Sequence, residues 1–212
     1  MYTLYALCTC LVFDSCSHKT NLIHEIEWVN DEQGYFVDHR DQHRYSVVKA
    51  GQQIWFAENL KYKPRSGDFW AYDNDKSHVA KYGYLYFWET AKEACPEGWH
   101  VPSMEEWQSL IEFLGGKTQA GGKLKAVDAW NSPNEGATNS SGLSILPGGN
   151  KAVGGEFYHL GDDALLWSST PKSEGSAWKI RLNYTWDSVN YQACSRRTGL
   201  SVRCVKDEKS DR

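Results

Sequence analysis

The chain has 212 residues, with 23 Lys+Arg against 27 Asp+Glu and a formal net charge of −4. That balance excludes non-specific nucleic-acid binding, which needs a cationic face to release counterions. The 14% aromatic content, including 10 Trp, excludes disorder over most of the length, and no apolar run reaches the ~20 residues of a membrane-spanning helix.

Residues 1–13 are apolar and uncharged, and Asp14, Ser15 and Cys16 follow. A short apolar segment followed by small residues fits an export signal. The ending Phe13-Asp14-Ser15-Cys16 resembles a bacterial lipobox, which would make Cys16 the lipidated first residue of the mature chain. More than one acyl chain on Cys16 would give a stable membrane anchor. Export to the bacterial envelope, with attachment to the outer membrane through that lipid, is the expected location.

Residues 17–35 read as a polar spacer, with one short element around residues 22–29. Residues 35–37 and 45–48 then read as two strands joined by a polar turn over 38–43. A third strand over 53–57 follows the turn at Gly51. Residues 61–83 read as an aromatic loop with short strands. Residues 84–88 run into a helix-like stretch over 89–94, which Pro96 breaks. The clearest helix spans 103–114. Ser103 and Glu106 form a capping box. Trp107, Leu110, Ile111 and Leu114 recur at helical spacing, and Gly115-Gly116 ends the helix.

Residues 115–164 read as loop. Strands are expected over 165–169, 177–182, 186–191 and 200–205, and residues 208–212 form a polar tail. The fold class is α+β: two short helices, an antiparallel sheet and long Gly/Asn-rich loops.

Cys8, Cys10 and Cys16 fall in or at the end of the leader, leaving Cys95, Cys194 and Cys204 in the domain. Three allow one bridge and one free thiol. Cys95–Cys204 would close a long loop and restrict the unfolded chain strongly; Cys194–Cys204 is the local alternative. The His residues are scattered, none at zinc spacing with a Cys. His39 and His43 sit on a polar turn.

Several segments occur in a characteristic order: residues 37–62, residues 82–116, GLSILPGG at 142–149, LWSST at 166–170 and GLSVRCVKD at 199–207. This succession closely resembles the Fibrobacter succinogenes major paralogous domain, over about residues 36–207. The resemblance implies a C-type-lectin-like fold in which a helix-borne Cys bridges to a terminal-strand Cys, matching Cys95 and Cys204. It also implies export and lipid anchoring, with no established biochemical activity. Within the shared segments, residues 96–102 read as a rigid turn between helices. Trp55, Trp88, Trp99, Trp107 and Trp167 read as core, where large rings dominate burial.

Binding residues are sought among the other aromatics. Sugar-binding C-type lectins hold calcium and sugar hydroxyls with a Glu-Pro-Asn-like triplet and a later Trp-Asn-Asp. Here Ser132-Pro133-Asn134 and Trp186-Asp187 match only in part. Asn131, Asn134, Glu135 and Asp187 offer few oxygens for an ion that takes six to eight. Calcium is therefore disfavoured, and no cofactor or metal is expected.

Binding without calcium is better supported. Read as a strand, residues 184–191 place Tyr184, Trp186 and Asn190 on one face, with Asn183, Asp187 and Tyr191 opposite. The candidate ligand-binding residues are Trp130, Asn131, Asn134, Glu135, Tyr158, Trp178, Trp186 and Asp187. The ligand class is an extracellular glycan or a surface protein.

Formylglycine-generating enzymes share the lectin-like scaffold and a terminus resembling residues 199–204, but their copper site needs two extra thiols, and only Cys194 is left over. No Ser-His-Asp order, HExxH or phosphate loop occurs, and Glu105/Glu106 read as a solvated helix face. A non-enzymatic binding or adhesion module is the leading expectation. A structural surface or fimbria-associated subunit, then a formylglycine-generating-enzyme-like oxidase, are the alternatives.

Overall fold

The computed structural model describes residues 26–207. The leader, the lipidation site at Cys16 and the tail at 208–212 lie outside those residues. The chain opens with an antiparallel hairpin, because alternating apolar residues flank the polar turn. It comprises β2 (Gln33–Asp38) and β3 (His43–Ala50), with Phe36 opposite Tyr45. Ahead of it, β1 (Glu27–Trp28) pairs with β2, so the sheet reaches back into the stretch read as spacer.

β4 (Gln53–Phe56) follows, then β5 (Phe69–Trp70), α1 (Val79–Tyr82), β6 (Leu85–Tyr86), α2 (Trp88–Lys92) and β7 (Trp99–His100). α3 (Met104–Phe113) starts at the expected capping box: Ser103 Oγ accepts from Glu106 N at 3.2 Å, and Glu106 Oε2 accepts from Ser103 N at 2.7 Å. Its buried face is Met104, Trp107, Leu110 and Ile111. After α4 (Lys117–Leu124) come β8 (Gly148–Lys151), β9 (Phe157–Leu160), β10 (Asp163–Ser173), β11 (Ser176–Asn183), β12 (Asn190–Ser195) and β13 (Val205–Lys206).

The strands form a six-stranded sheet in the order β1-β2-β3-β4-β13-β7, a five-stranded sheet in the order β12-β11-β10-β8-β9, and the small β5-β6 pair. The α+β class holds. Three expectations need correction. Four α-helices are present among the described residues, not two. The sheets are not wholly antiparallel, because β8 and β10 run parallel. The strand expected over 186–191 begins only at Asn190. Residues 184–189 are a turn, held by Asn183 Oδ1, which accepts from Thr185 N at 2.9 Å and Thr185 Oγ1 at 2.6 Å. Asn side chains compete with strand pairing in this way, and the alternating-face assignment of Tyr184, Trp186 and Asp187 falls with that strand.

β10 has both faces covered. Ala164 and Leu166 enter one core with Trp55, Trp107, Leu110 and Ile111. Leu165 and Trp167 enter a second with Phe36, Phe56, Trp88 and Trp99. A strand buried on two sides reads as a continuous apolar run rather than an alternation. The five framework Trp are each at most 5% exposed, so they are core. Cys95 is bridged to Cys204, which ties the chain just after α2 to the residue before β13. The bridge is thus the long one of the two open choices, and Cys194 is the free cysteine among the described residues.

Glu106 is not on a solvated face. His100 lies between Glu106 Oε1 at 2.7 Å and Asp207 Oδ1 at 2.5 Å. The Glu106 hydrogen bond, helped by Asp207 and opposed by burial, raises the His100 pKa from 6.5 to about 9. For Glu106, burial works upward but is outweighed by His100 and the Ser103 N–H, which hold its carboxyl low. A raised histidine stabilises fully below its unfolded pKa and loses that contribution as pH climbs through the folded one. Urea unfolding should therefore show the contribution of His100 shrinking between pH 6.5 and 9. His100→Gln should flatten that decline, with an effect within about 1 kcal/mol because the pair is solvent-screened.

Candidate functional site

The long loop over residues 125–147 is seated on α4. Gly121 and Gly122 resemble helix breakers, which is why the sequence alone suggests no helix there. The structure gives them another purpose. A Cβ on Gly121 would lie 2.4 Å from the Asp187 carbonyl oxygen, and one on Gly122 would lie 2.1 Å from that of Gly136. Gly122 N donates to Asp187 O at 2.9 Å, and Thr138 N donates to Gly122 O at 2.8 Å. Two loops thus dock backbone-to-backbone on a bare helix surface. Gly122→Ala is expected to cost about 3 kcal/mol in urea unfolding, at the upper end of overpacking penalties, because the clash is with backbone.

Lys125 follows α4 and is fully buried. Its ammonium donates to the carbonyls of Glu135 (2.7 Å), Trp186 (2.7 Å) and Asn183 (3.1 Å). These match its three donors. The Trp130 ring centroid is 5.4 Å away. Burial pushes its pKa down to about 8, against the favourable charges of Asp187 and Glu135, so the group is still a cation at neutral pH.

Arg203, also fully buried, holds the other end of the loop. It donates to Leu143 O (2.6 Å), Ser144 O (3.1 Å), Phe56 O (3.0 Å) and Asn59 Oδ1 (2.8 Å). Burial lowers its pKa to about 9. The loop also braces itself: Trp130 Nε1 donates to Ile145 O at 3.0 Å, and Asn134 Nδ2 donates to Ala126 O at 3.0 Å.

A cleft of about 610 Å³ separates the loop from the outer side of β2 and β3. Val47, Val48 and Leu146 contribute apolar walls, and Glu58, Lys81 and Asp128 bring charge. Val127 is 63% exposed on its lining. Glu58 is already engaged, accepting from Ser46 N at 2.9 Å and Lys61 Nζ at 2.6 Å. Those bonds outweigh burial and keep its carboxyl below the usual range.

The expected site residues divide into two groups. Trp130, Asn134, Glu135, Trp186 and Asp187 gather around Lys125 and its loops. Asn131 joins the loop to the β9–β10 turn, donating from Nδ2 to Asp162 Oδ1 at 2.9 Å. Tyr158 and Trp178 are elsewhere: they sit on β9 and β11, with β8 and β10 between. Tyr158 is 48% exposed. Trp178 packs on the first core under Lys172.

The residues not anticipated are Lys125, Arg203 and the cleft lining around Val127 and Glu58. The signal for the two cations was faint: basic residues set among apolar neighbours, KLKAV at 123–127 and SVRCV at 201–205. No group of three His, Cys, Asp or Glu placed to hold a metal occurs among the described residues. The cation at the centre of the loop is the chain's own ammonium, and it takes the Glu135 carbonyl rather than its carboxylate.

Fold and site together describe a mixed α+β domain with a long loop pinned from inside beside an open cleft. The family model described as the Fibrobacter succinogenes major domain matches residues 48–206, and the chain belongs to that family. No curated protein and no solved structure matches the chain.

Proposed function

We propose that this chain is an exported, non-enzymatic binding module, held at the bacterial envelope by lipid on Cys16, which recognises an extracellular glycan in the cleft beside the long loop. The observation that carries this reading is how the loop is held. Two buried cations grip the loop carbonyls of Glu135, Leu143 and Ser144. A loop fixed before binding avoids the ordering cost that weakens flexible sites. The cleft combines apolar walls with a few polar and charged groups, the composition that suits a small ligand's ring faces and hydroxyls.

Calcium has no role in this reading, because Lys125 supplies the positive charge that orders the loop. The Cys95–Cys204 bridge beside a long irregular loop supports a C-type-lectin-like scaffold. Glu58, a carboxyl in the cleft lining, is spent on Lys61 and Ser46, which fits a binding role better than a catalytic one.

A glycan array probed with the full chain tests this. Retention of a glycan, unaffected by EDTA, is expected. Val127→Trp, at an exposed position that leaves the core intact, should weaken it at least about tenfold, or ~1.4 kcal/mol. Loss of signal in EDTA, or an array on which no glycan is retained, would overturn the glycan reading. For the anchor, labelling with a palmitate analogue should vanish in Cys16→Ala, and labelling that survives would refute that site.

A further inference from the structure

The five-stranded sheet carries a second concavity, away from the cleft. It holds about 230 Å³ and is lined almost wholly by polar side chains: Asn150 from β8, His159 from β9, Asp163 from β10, Lys179 and Arg181 from β11, and Gln192 from β12. The charges inside it do not cancel. Arg181 is committed to Asp163, donating from Nε at 3.1 Å and NH2 at 2.9 Å. Asn183 Nδ2 adds a bond to the same carboxylate at 2.6 Å, and His159 Nδ1 lies 3.8 Å from it. That pair is neutral and internally satisfied.

Lys179 is the remainder. It is half-buried, and among the described residues its ammonium has no hydrogen-bond or ion-pair partner, nor do the side-chain amides of Asn150 and Gln192. All three residues are half-buried, and their polar ends converge on one hollow without partners among the described residues. The Arg181 guanidinium also lies over the Trp186 ring, 5.1 Å from its centroid, which sets an indole beside the pocket.

We infer that this pocket binds the carboxylate of an acidic sugar, with Lys179 as counter-ion and Asn150 and Gln192 as hydrogen-bonding partners. An anion completes the charge left by Lys179. The amides can both donate to a carboxylate and accept from hydroxyls. The volume falls below the roughly 300–1,000 Å³ of drug-sized sites, so it suits one sugar ring, not a chain. The pocket lies on a different sheet from the cleft and does not depend on it, so a failure at either site leaves the other standing.

NMR titration of the full chain, following the side-chain amides of Asn150 and Gln192, tests the inference with three probes: sodium glucuronate, glucose and sodium sulfate. Glucuronate should give saturable shifts at these amides, more tightly than either other probe. Lys179→Gln should weaken glucuronate at least about tenfold. Gln192→Leu, which keeps the charge, should weaken it by a smaller factor with folding monitored by circular dichroism. Equal affinity for glucose, sulfate as tight as glucuronate, or an unaltered titration in Lys179→Gln would each overturn the assignment.

Discussion

Replacing Arg203 with Met is expected to lower the unfolding free energy by about 3–5 kcal/mol, the scale for leaving several buried acceptors without their donor. The guanidinium joins four acceptors from three parts of the chain: Phe56 at the end of β4, Asn59 beyond it, and Leu143 and Ser144 in the long loop. Met fills much of the volume and removes every donor. Each buried acceptor left without a partner costs roughly 1–3 kcal/mol, offset in part by no longer desolvating a cation. Against a total stability of about 5–15 kcal/mol, this is a large share. Lys at the position keeps a charge but presents a point donor instead of a planar fork, so Arg203→Lys should recover less than half of the loss. Urea melts of the three proteins decide this; a Met variant within about 1 kcal/mol of the parent would show that the hub is dispensable.

The second large effect belongs to the disulfide. Cys95 and Cys204 are 109 residues apart, so the bridge closes most of the domain. In the chain-entropy account a loop of that length contributes about 4–5 kcal/mol, by restricting the unfolded ensemble. Cys95→Ala/Cys204→Ala should lose that amount, and reducing the parent with dithiothreitol should reproduce the loss. The bridged segment is also anchored by side chains. Arg40, paired with the buried Asp38 at 2.7 Å, donates to Ala94 O at 2.9 Å and Cys95 O at 3.2 Å. The reduced protein therefore keeps native local contacts, and its deficit should appear as a loss of stability at equilibrium, not as a changed fold by circular dichroism. A Cys194→Ser control should move stability by less than about 1 kcal/mol, since that thiol is half-buried and unbridged.

Much of the framework was legible because local rules and tertiary packing agree there. The hairpin at Phe36 and Tyr45, the capping box at Ser103 and Glu106, and the five core Trp follow from alternation, capping and ring burial. The family resemblance pointed to the right pair of cysteines among two open choices. The failures share a cause: tertiary contacts overrode local propensity. Gly121 and Gly122 sit in a helix because two loop backbones rest on them. Residues 184–189 turn away from strand geometry because the Asn183 side chain captures Thr185.

The candidate site was legible only in part. Trp130, Asn134, Glu135, Trp186 and Asp187, drawn from two distant segments, do lie together, yet what joins them is Lys125, a residue that reads as an ordinary surface lysine. Tyr158 and Trp178 entered on composition, and the sheet order separates them from the loop. An ammonium caged by carbonyls leaves no motif, since any residue can supply a backbone oxygen.

The chain's own cations, Lys125 and Arg203, hold the long loop without a bound ion. Amide hydrogen exchange over residues 126–147, in the full chain with EDTA or with added calcium, tests it most directly. The account predicts protection in EDTA that calcium does not increase, and a loss of protection confined to this loop and residues 183–189 in Lys125→Met. A loop that exchanges freely in the parent until calcium is added would contradict it.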